Sequence, residues 1–372
     1  MRRRRRIWIQ VAAICVTAVF CGASASAAVS DPAGDAAEKL LKGMSLKEKI
    51  AQMMIVEYPD SDAASLQKKY QFGGYILFGD DFQGSTKKKV KKKIKACQKA
   101  SEIPMLIAVD EEGGTVVRAS LYSQFRKHPF RSPRAVYKDQ GYKGITSDTR
   151  KKDAFLKGLG INCNFAPVAD VPYQKGDFMY QRSFSVKAKK TAKFVRRTIR
   201  QMDQDNVVSV MKHFPGYGGN GDTHGRIIKD KRSRKTFKKR DLKPFAAGID
   251  EGADMIMVSH LKVKAFDGKR PASLSKKVHK YLRKEMGFDG VIITDGMAMD
   301  GVMDFVGGDE GKAAVRAINA GNDMLCVTGS YSRTYKAIRS AVKDGTIDRS
   351  RIDQSVKRIL RMKLKRGILK GN

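Results

Sequence analysis

Residues 207–225 read VVSVMKHFPGYGGNGDTHG. The β-branched apolar run at the start predicts a buried strand. It ends in Lys212 and His213. A Phe-Pro-Gly turn follows, and then a loop with glycines at 216, 218, 219 and 221 that carries Asp222 and His224. The same pattern, a short apolar run followed by polar or ionisable residues, recurs along the chain. In order the runs are Ile50–Glu57, Gly74–Phe78, Met105–Asp110, Asn162–Asp170, Val207–His213, Met255–His260, Val291–Asp295 and Asp323–Val327.

The segments between these runs mix Lys and Arg with apolar residues at helical spacing. They are Leu66–Gln71, Thr86–Ala100, Ser147–Gly158, Lys187–Asp203, Ser233–Gly252, Ser275–Met286, Asp309–Ala320 and Thr334–Asp344. Strands alternating with helices predict βα units and a parallel sheet. Eight units predict an α/β fold consisting of one (β/α)8 barrel. The barrel is expected over 28–372, with Ala28–Ala37 as a flexible lead-in and Glu38–Ile50 helical. A last helix, Asp348–Lys365, presents Ile352, Val356, Ile359, Leu360 and Leu364 on one face.

The first 27 residues read as a targeting segment rather than as fold. Arg2–Arg6 form a basic leader, and Ile7–Phe20 form an apolar stretch too short for a span of about 20 residues. Ala25-Ser26-Ala27 is a small-residue cleavage site. The reading is a signal peptide over 1–27 and a secreted or cell-surface protein; left uncut, the segment would be a membrane anchor.

The formal net charge of the 372 residues is +36, and it falls to +31 without residues 1–27, which hold five arginines and no acid. A field of that size favours anionic polymers. For an exported chain these are an anionic cell wall or membrane surface; no nucleic-acid-binding motif accompanies the charge. The bland alternative is a set of solvated lysine-rich helix faces, and KKKVKKKIK (87–95), with Val90 and Ile94 four residues apart, fits either.

Only Cys97, Cys163 and Cys326 lie beyond the leader. Three widely spaced cysteines make no disulfide framework. No His/Cys group has metal-ligand spacing, so neither a metal nor a cofactor is expected.

In a barrel of this type the site lies at the C-terminal strand ends. There the sequence places Asp110-Glu111-Glu112 with Arg118, Asp170, Lys212-His213, Ser259-His260 and Thr294-Asp295. Asp295 closes an apolar strand and suits a rigidly held, partly desolvated nucleophile; alternatively it caps the next helix. Lys212 and Arg118 donate to hydroxyls, and Asp110 accepts from them. Many hydroxyl-binding groups and no phosphate loop point to carbohydrate. Glycoside hydrolysis usually takes two carboxylates. Here Asp222-Thr223-His224 offers an alternative to the second: a histidine serving as acid and then base, with Asp222 orienting it.

These motifs together resemble glycoside hydrolase family 3, its NagZ-like β-N-acetylglucosaminidases. VDEEGGTVVR (109–118) is similar to DQEGGRVxR, GINCNFAPVADV (160–171) to GINxNFAPVxDV, and KHFPGYGGNGDTHG (212–225) to KHFPGHGDTxxDSH. RSFS (182–185), PASLS (271–275), ITDGMAM (293–299) and AGNDMLCV (320–327) follow in order. The resemblance implies Asp295 as nucleophile, His224 as general acid/base and Asp222 as its orienting partner. It implies Asp110, Arg118, Arg182, Lys212 and His213 as contacts to the terminal sugar, and a covalent, retaining mechanism.

Five departures stand out. Tyr217 replaces a histidine, Glu111 a glutamine, Thr115 an arginine and Thr223 a serine, and the loop from Lys212 to the dyad histidine is one residue shorter. Two-domain β-glucosidases of the family draw their acid/base glutamate from a second α/β domain. None is expected here, so the barrel must supply its own acid/base. The expected function is exported exo-hydrolysis of terminal, non-reducing β-linked N-acetylglucosamine from wall fragments or other amino-sugar glycans. The alternatives are a β-glucosidase, β-xylosidase or N-acetylglucosaminide phosphorylase on the same scaffold, and, from another class, a non-catalytic wall-binding protein.

Overall fold

A computed structural model describes residues 31–370 apart from residue 60. The expected signal peptide therefore lies outside the described residues.

The described residues form ten strands: β1 (Met54–Glu57), β2 (Gly74–Leu77), β3 (Leu106–Val109), β4 (Cys163–Asn164), β5 (Val208–Phe214), β6 (Lys229–Asp230), β7 (Met255–Val258), β8 (Lys262–Val263), β9 (Val291–Gly296) and β10 (Met324–Val327). Eight of them close a parallel barrel in the order β1-β10-β9-β7-β5-β4-β3-β2. Closure is made by β1 against β10, with Met54 opposite Leu325 and Val56 opposite Val327. Each barrel strand grows from one of the eight apolar runs. Every residue of β2, β3, β7 and β10 is buried, because these strands face barrel interior on one side and helices on the other. The pair β6 and β8 forms a separate two-stranded sheet.

Four local expectations are corrected. The fourth run yields only two ladder residues. Pro167 has no N–H to donate, so the ladder stops and the segment follows β5 through single bonds such as Val210 N–H to the Ala166 carbonyl (2.9 Å). The helix expected over Ser233–Gly252 is two, Arg234–Lys239 and Leu242–Asp250. Pro244 fits the first turn of the second helix, but in a continuous helix its ring would clash with the Arg240 carbonyl. The helix expected from Ser147 begins at Pro133, capped by Ser132, and bends at Gly141 (φ 59°). The expected flexible lead-in is helical from Pro32 onward; the helix Pro32–Gly43 buries Ala37 and Leu41, and its Glu38 pairs with Lys357 at 2.7 Å.

The last helix, Arg349–Lys365, buries Ile352, Val356, Ile359 and Leu360 completely. It also clamps the N-terminal end of the barrel through charge. Arg366 reaches buried Asp254 at 2.7 Å, and Arg351 reaches buried Asp323 at 3.1 Å. Asp323 takes Arg283 as well, and its carboxyl is held below the usual aspartate range: burial pushes it up, but Arg283, Arg351 and Arg358 outweigh that.

Lys363 on the same helix is fully buried, with Gln52 Oε1 (2.8 Å) as its acceptor. Burial pushes its pKa down to about 7. A lysine in the unfolded chain titrates near 10.4. Between those values the unfolded state holds more protons, so stability rises with pH across that window, and the full cost is present below about 7. Lys363→Met is expected to stabilise the protein at pH 6 by on the order of 2 kcal/mol, net of the lost Gln52 bond. It should also flatten the rise in melting temperature between pH 7 and 10. A lower melting temperature at pH 6 would show that the buried ammonium is compensated.

Candidate active site

The C-terminal end of β3 delivers Asp110 and Glu112, and the end of β5 delivers Lys212 and His213. Lys212 is fully buried, and its ammonium lies 2.5 Å from Asp110 Oδ1 and 2.7 Å from Glu112 Oε1. Glu112 is buried too and accepts a fork from Arg182, Nε at 3.0 Å and Nη2 at 2.7 Å. Burial alone would raise the Glu112 carboxyl, but Lys212 and Arg182 hold it well below the carboxylate range. Burial would likewise depress Lys212, yet Asp110 and Glu112 raise it above the ordinary lysine value. The group is a compact run of alternating charge in which each ion stabilises the next.

His213 extends the run. Its Nδ1 lies 2.7 Å from Asp170 Oδ2, and Arg182 Nη2 lies 3.3 Å from its Nε2. Arginine only donates, so Nε2 accepts, and the proton sits on Nδ1 facing Asp170. Asp170, fully buried, also accepts the His213 N–H (3.0 Å) and the Tyr217 N–H (2.7 Å). The Lys212–His213 and Phe214–Pro215 peptide bonds are cis.

Arg118 stands beside Asp110 at 3.8 Å and over the Phe78 ring at 5.7 Å. The loop that carries it is set by Glu111, whose carboxylate accepts from the backbone N–H groups of Arg118, Ala119 and Ser120 and from the Ser120 hydroxyl. A carboxylate is acceptor-only, so glutamate suits this cradle of donors. Thr115 is exposed.

The dyad loop leaves β5 through Tyr217. This side chain is buried, packs edge-on to His213 at 5.3 Å, and meets the Thr223 hydroxyl at 2.6 Å. Thr223 is fully buried, whereas the next side chain, His224, is 63% exposed. His224 Nδ1 lies 2.5 Å from Asp222 Oδ1, which also accepts the His224 backbone N–H at 2.9 Å. Nε2 is thereby left to face the cleft. The loop is docked rather than loose: the Thr223 and His224 carbonyls accept from Gly301 N–H and Asp300 N–H, both at 3.0 Å.

Asp295 sits near the end of β9, partly buried, and accepts Gly296 N–H at 2.9 Å. Burial pushes its carboxyl up, but His213, His260, that N–H and His224 bring it below the ordinary aspartate value. His260 is fully buried and fixed between the Ser273 hydroxyl (2.7 Å) and the Gly296 carbonyl (2.9 Å). A carbonyl only accepts, so His260 Nε2 carries the proton, and burial keeps the ring neutral by lowering its pKa.

All eight residues singled out from the sequence, Asp110, Arg118, Arg182, Lys212, His213, Asp222, His224 and Asp295, line one cleft of about 450 Å³. Phe165, Met257 and Cys326 form its apolar floor, and Phe78 and Phe178 stand on its walls. The three described cysteines are all free and buried. Among the described residues no cluster of three or more His, Cys, Asp or Glu is placed to hold a metal ion. The site list drawn from the sequence omitted Glu112, Asp170, Tyr217 and His260. Glu112, Asp170 and His260 follow apolar runs, and that was the available signal.

Residues 45–362 match the family model described as the glycosyl hydrolase family 3 N terminal domain. The chain is 28% identical over 333 residues to a protein named beta-hexosaminidase A from Pseudoalteromonas piscicida, across 82% of this chain and 55% of that one. It is 29% identical over 337 residues to beta-hexosaminidase LpqI of Mycobacterium tuberculosis, across 86% and 83%. Among solved structures, a family 3 β-N-acetylglucosaminidase from Paenibacillus sp. superposes with a TM-score of 0.81 at 30% identity, over 87% of this chain and 63% of that one. The chain thus spans little more than half of the Pseudoalteromonas protein and under two thirds of the Paenibacillus one. With the closed parallel barrel and the match over most of its length, the chain belongs to glycosyl hydrolase family 3, by way of that family's N-terminal domain.

Proposed function

We propose that the protein is an exported, retaining exo-β-N-acetylglucosaminidase acting on wall fragments or other amino-sugar glycans. The observation that carries this reading is the distribution of charge in the cleft. Asp110, Glu112 and Asp170 are tied to Lys212, Arg182 or His213. Asp295 accepts one backbone N–H and keeps the rest of its lone pairs free for an incoming carbon. Its lowered pKa keeps it ionised at neutral pH, as a nucleophile requires. The acetamido preference is supported by the names of the relatives, export by the leader-like residues 1–27, and the wall setting by that leader together with the net charge of +36.

In the first step an Asp295 oxygen bonds to the anomeric carbon as the glycosidic C–O bond breaks. His224 Nε2–H passes its proton to the leaving oxygen. In the second step a water oxygen bonds to the same carbon, the Asp295 ester bond breaks, and His224 takes the water proton. Asp222 holds Nδ1–H throughout and stabilises the imidazolium that donates in the first step and is re-formed when the water proton is taken in the second; between the steps the ring is the neutral imidazole. Lys212, Arg118 and Arg182, the last held in place by Glu112, hold the sugar hydroxyls, so that the ring is presented to Asp295 in one pose.

The substrate reading is tested with aryl β-N-acetylglucosaminide beside aryl β-glucoside. Turnover of the acetamido sugar is expected to exceed that of the glucoside by at least tenfold, and the reverse order sinks the assignment.

The roles are tested by kinetics on leaving groups of different acidity. His224→Ala is expected to lose about 10²–10⁴ in kcat on alkyl or sugar leaving groups and far less on 4-nitrophenol, which needs no proton. Asp295→Ala should lose nearly all turnover on both. Equal losses for the two leaving groups in His224→Ala would remove the acid role.

Tyr217 acts on His224 through Thr223. Tyr217→Phe is expected to cost about 1 kcal/mol of stability. It should also lower kcat several-fold on poor leaving groups while leaving KM and nitrophenyl turnover near those of the parent. A rise in KM alone would place Tyr217 in substrate binding instead.

A further inference from the structure

The helix Lys87–Lys99, KKKVKKKIKACQK, carries eight lysines and no acid, and all eight are exposed. Its apolar residues Val90, Ile94 and Cys97 are buried against the barrel. At 100° per residue the lysines cover an arc of roughly 240°, the whole of the outward surface. Several stand four residues apart, as Lys88 and Lys92 or Lys91 and Lys95 do, where like charges oppose helix formation. Lys87, Lys88 and Lys89 occupy the first turn, the positive end of the helix dipole, where an acid would be favoured. Among the described residues none of the eight forms an ion pair, although lysines elsewhere do, such as Lys49 with Asp353 and Lys357 with Glu38. In the isolated chain the last-turn position of Lys99 does not work against the helix, but the first-turn lysines and the pairs four residues apart do. A bound polyanion reverses the sign of each.

The chemistry of the partner follows from the residue type. The planar fork of arginine matches carboxylate and phosphate alike in one fixed geometry, as Arg182 does Glu112 in the cleft, whereas lysine fixes no geometry. A ridge built only of lysine offers compact point charges, which suit phosphate. The one exposed apolar side chain of this helix is the methyl of Ala96, too small to enter a lipid surface, and the wide arc fits a flexible chain better than a plane. Nine residues separate the end of β2 from the start of the helix, on the barrel end that bears the cleft, and Phe78 in that connection lines the cleft itself. We propose that this helix docks a linear polyol-phosphate polymer of the kind interleaved with amino-sugar glycans in cell walls, holding the cleft close to its substrate. The choice of a wall polymer rests on the glycan reading above; the binding itself does not depend on turnover, so the two can fail separately.

The test measures binding of the full chain to poly(glycerol phosphate) of defined length between 50 and 200 mM salt. One variant carries Lys88→Gln, Lys91→Gln, Lys92→Gln and Lys95→Gln. A charge-matched control carries Lys280→Gln, Lys284→Gln, Lys312→Gln and Lys336→Gln, all exposed positions elsewhere on the surface. The helix variant is expected to bind at least tenfold more weakly, with the slope of log affinity against log salt reduced by about 3 for four charges. It should keep its turnover of soluble aryl glycoside and melt no lower than the parent, which separates lost binding from lost folding. The control should stay within twofold. Equal losses in the two variants would assign the binding to diffuse charge and overturn the proposal. So would tighter, equally helix-dependent binding to single-stranded DNA or to phosphatidylglycerol vesicles.

Discussion

The ammonium of Lys212 is buried at the end of β5 with two carboxylates in contact, and much of the cleft is arranged around that fact. A charge taken out of water must be paired, and breaking such a pair costs several kcal/mol because the survivor has no solvent to turn to. Asp110 and Glu112 meet the need from β3. They bring a surplus of negative charge, which Arg182 and Arg118 balance from two separate loops. Arg182 in turn donates to His213, and His213 to Asp170. Segments remote in sequence are thereby fixed to one another by a chain of charge compensation rather than by apolar packing. The result is a rigid wall of donors and acceptors, which is what recognition of a polyhydroxylated ring requires.

The two ends of the barrel use carboxylates in opposite ways. At the N-terminal end Asp254 and Asp323 are saturated: Arg366, the Ser209 N–H and the Ser209 hydroxyl surround the first, and Arg283, Arg351, Ser355 and the Ile292 N–H surround the second. Nothing is left over for a ligand, and the effect is to lock the last helix under the strands. At the C-terminal end Asp295 has one backbone donor. Its carboxyl is held below the ordinary aspartate value by the charge of the nearby histidines and by the Gly296 N–H, with no lysine or arginine among the described residues in salt-bridge contact. A carboxylate that is ionised yet incompletely hydrogen-bonded holds reactivity in reserve.

The barrel was legible because most of its strands are buried on both faces and so read as short apolar runs, as in β3 and β7, and because helices separate them. Legibility failed where one residue's backbone chemistry overrides pattern. Pro167 cuts short the fourth strand, and Pro244 splits a helix whose apolar spacing runs straight through it. The helix from Pro133 was missed because its first half buries few side chains, among them Val136 and Ile145, too few to set a period. In the site, strand-end position alone singled out Asp110, Lys212, His213 and Asp295. Arg182 lies in a loop with no periodic signal, and only the family resemblance pointed to it. Glu112 and Asp170 also follow apolar runs but act on other side chains, and a one-dimensional reading cannot separate a residue that faces the cleft from one that holds its neighbour.

The shortened dyad loop raises a geometric question that the contacts around Thr223 answer. A glycine-rich loop leaves a histidine with many positions relative to a carboxylate on another strand. Here the backbone narrows them. The carbonyls of Thr223 and His224 accept from Gly301 and Asp300, in the segment that leaves β9 five residues after Asp295. The proposed nucleophile and the proposed acid are therefore attached to the same short stretch of chain, one by sequence and one by two hydrogen bonds. The approach is so close that a Cβ on residue 301 would lie 2.7 Å from the Thr223 oxygen, which only glycine permits. On the other side the Tyr217 hydroxyl pins the Thr223 side chain. Because Tyr217 N–H bonds to Asp170, the pin leads back to His213, Arg182 and finally Lys212. The loop is flexible in composition but held at both ends, by the sugar-binding network and by the strand that bears Asp295, and its histidine is set in the frame that both define.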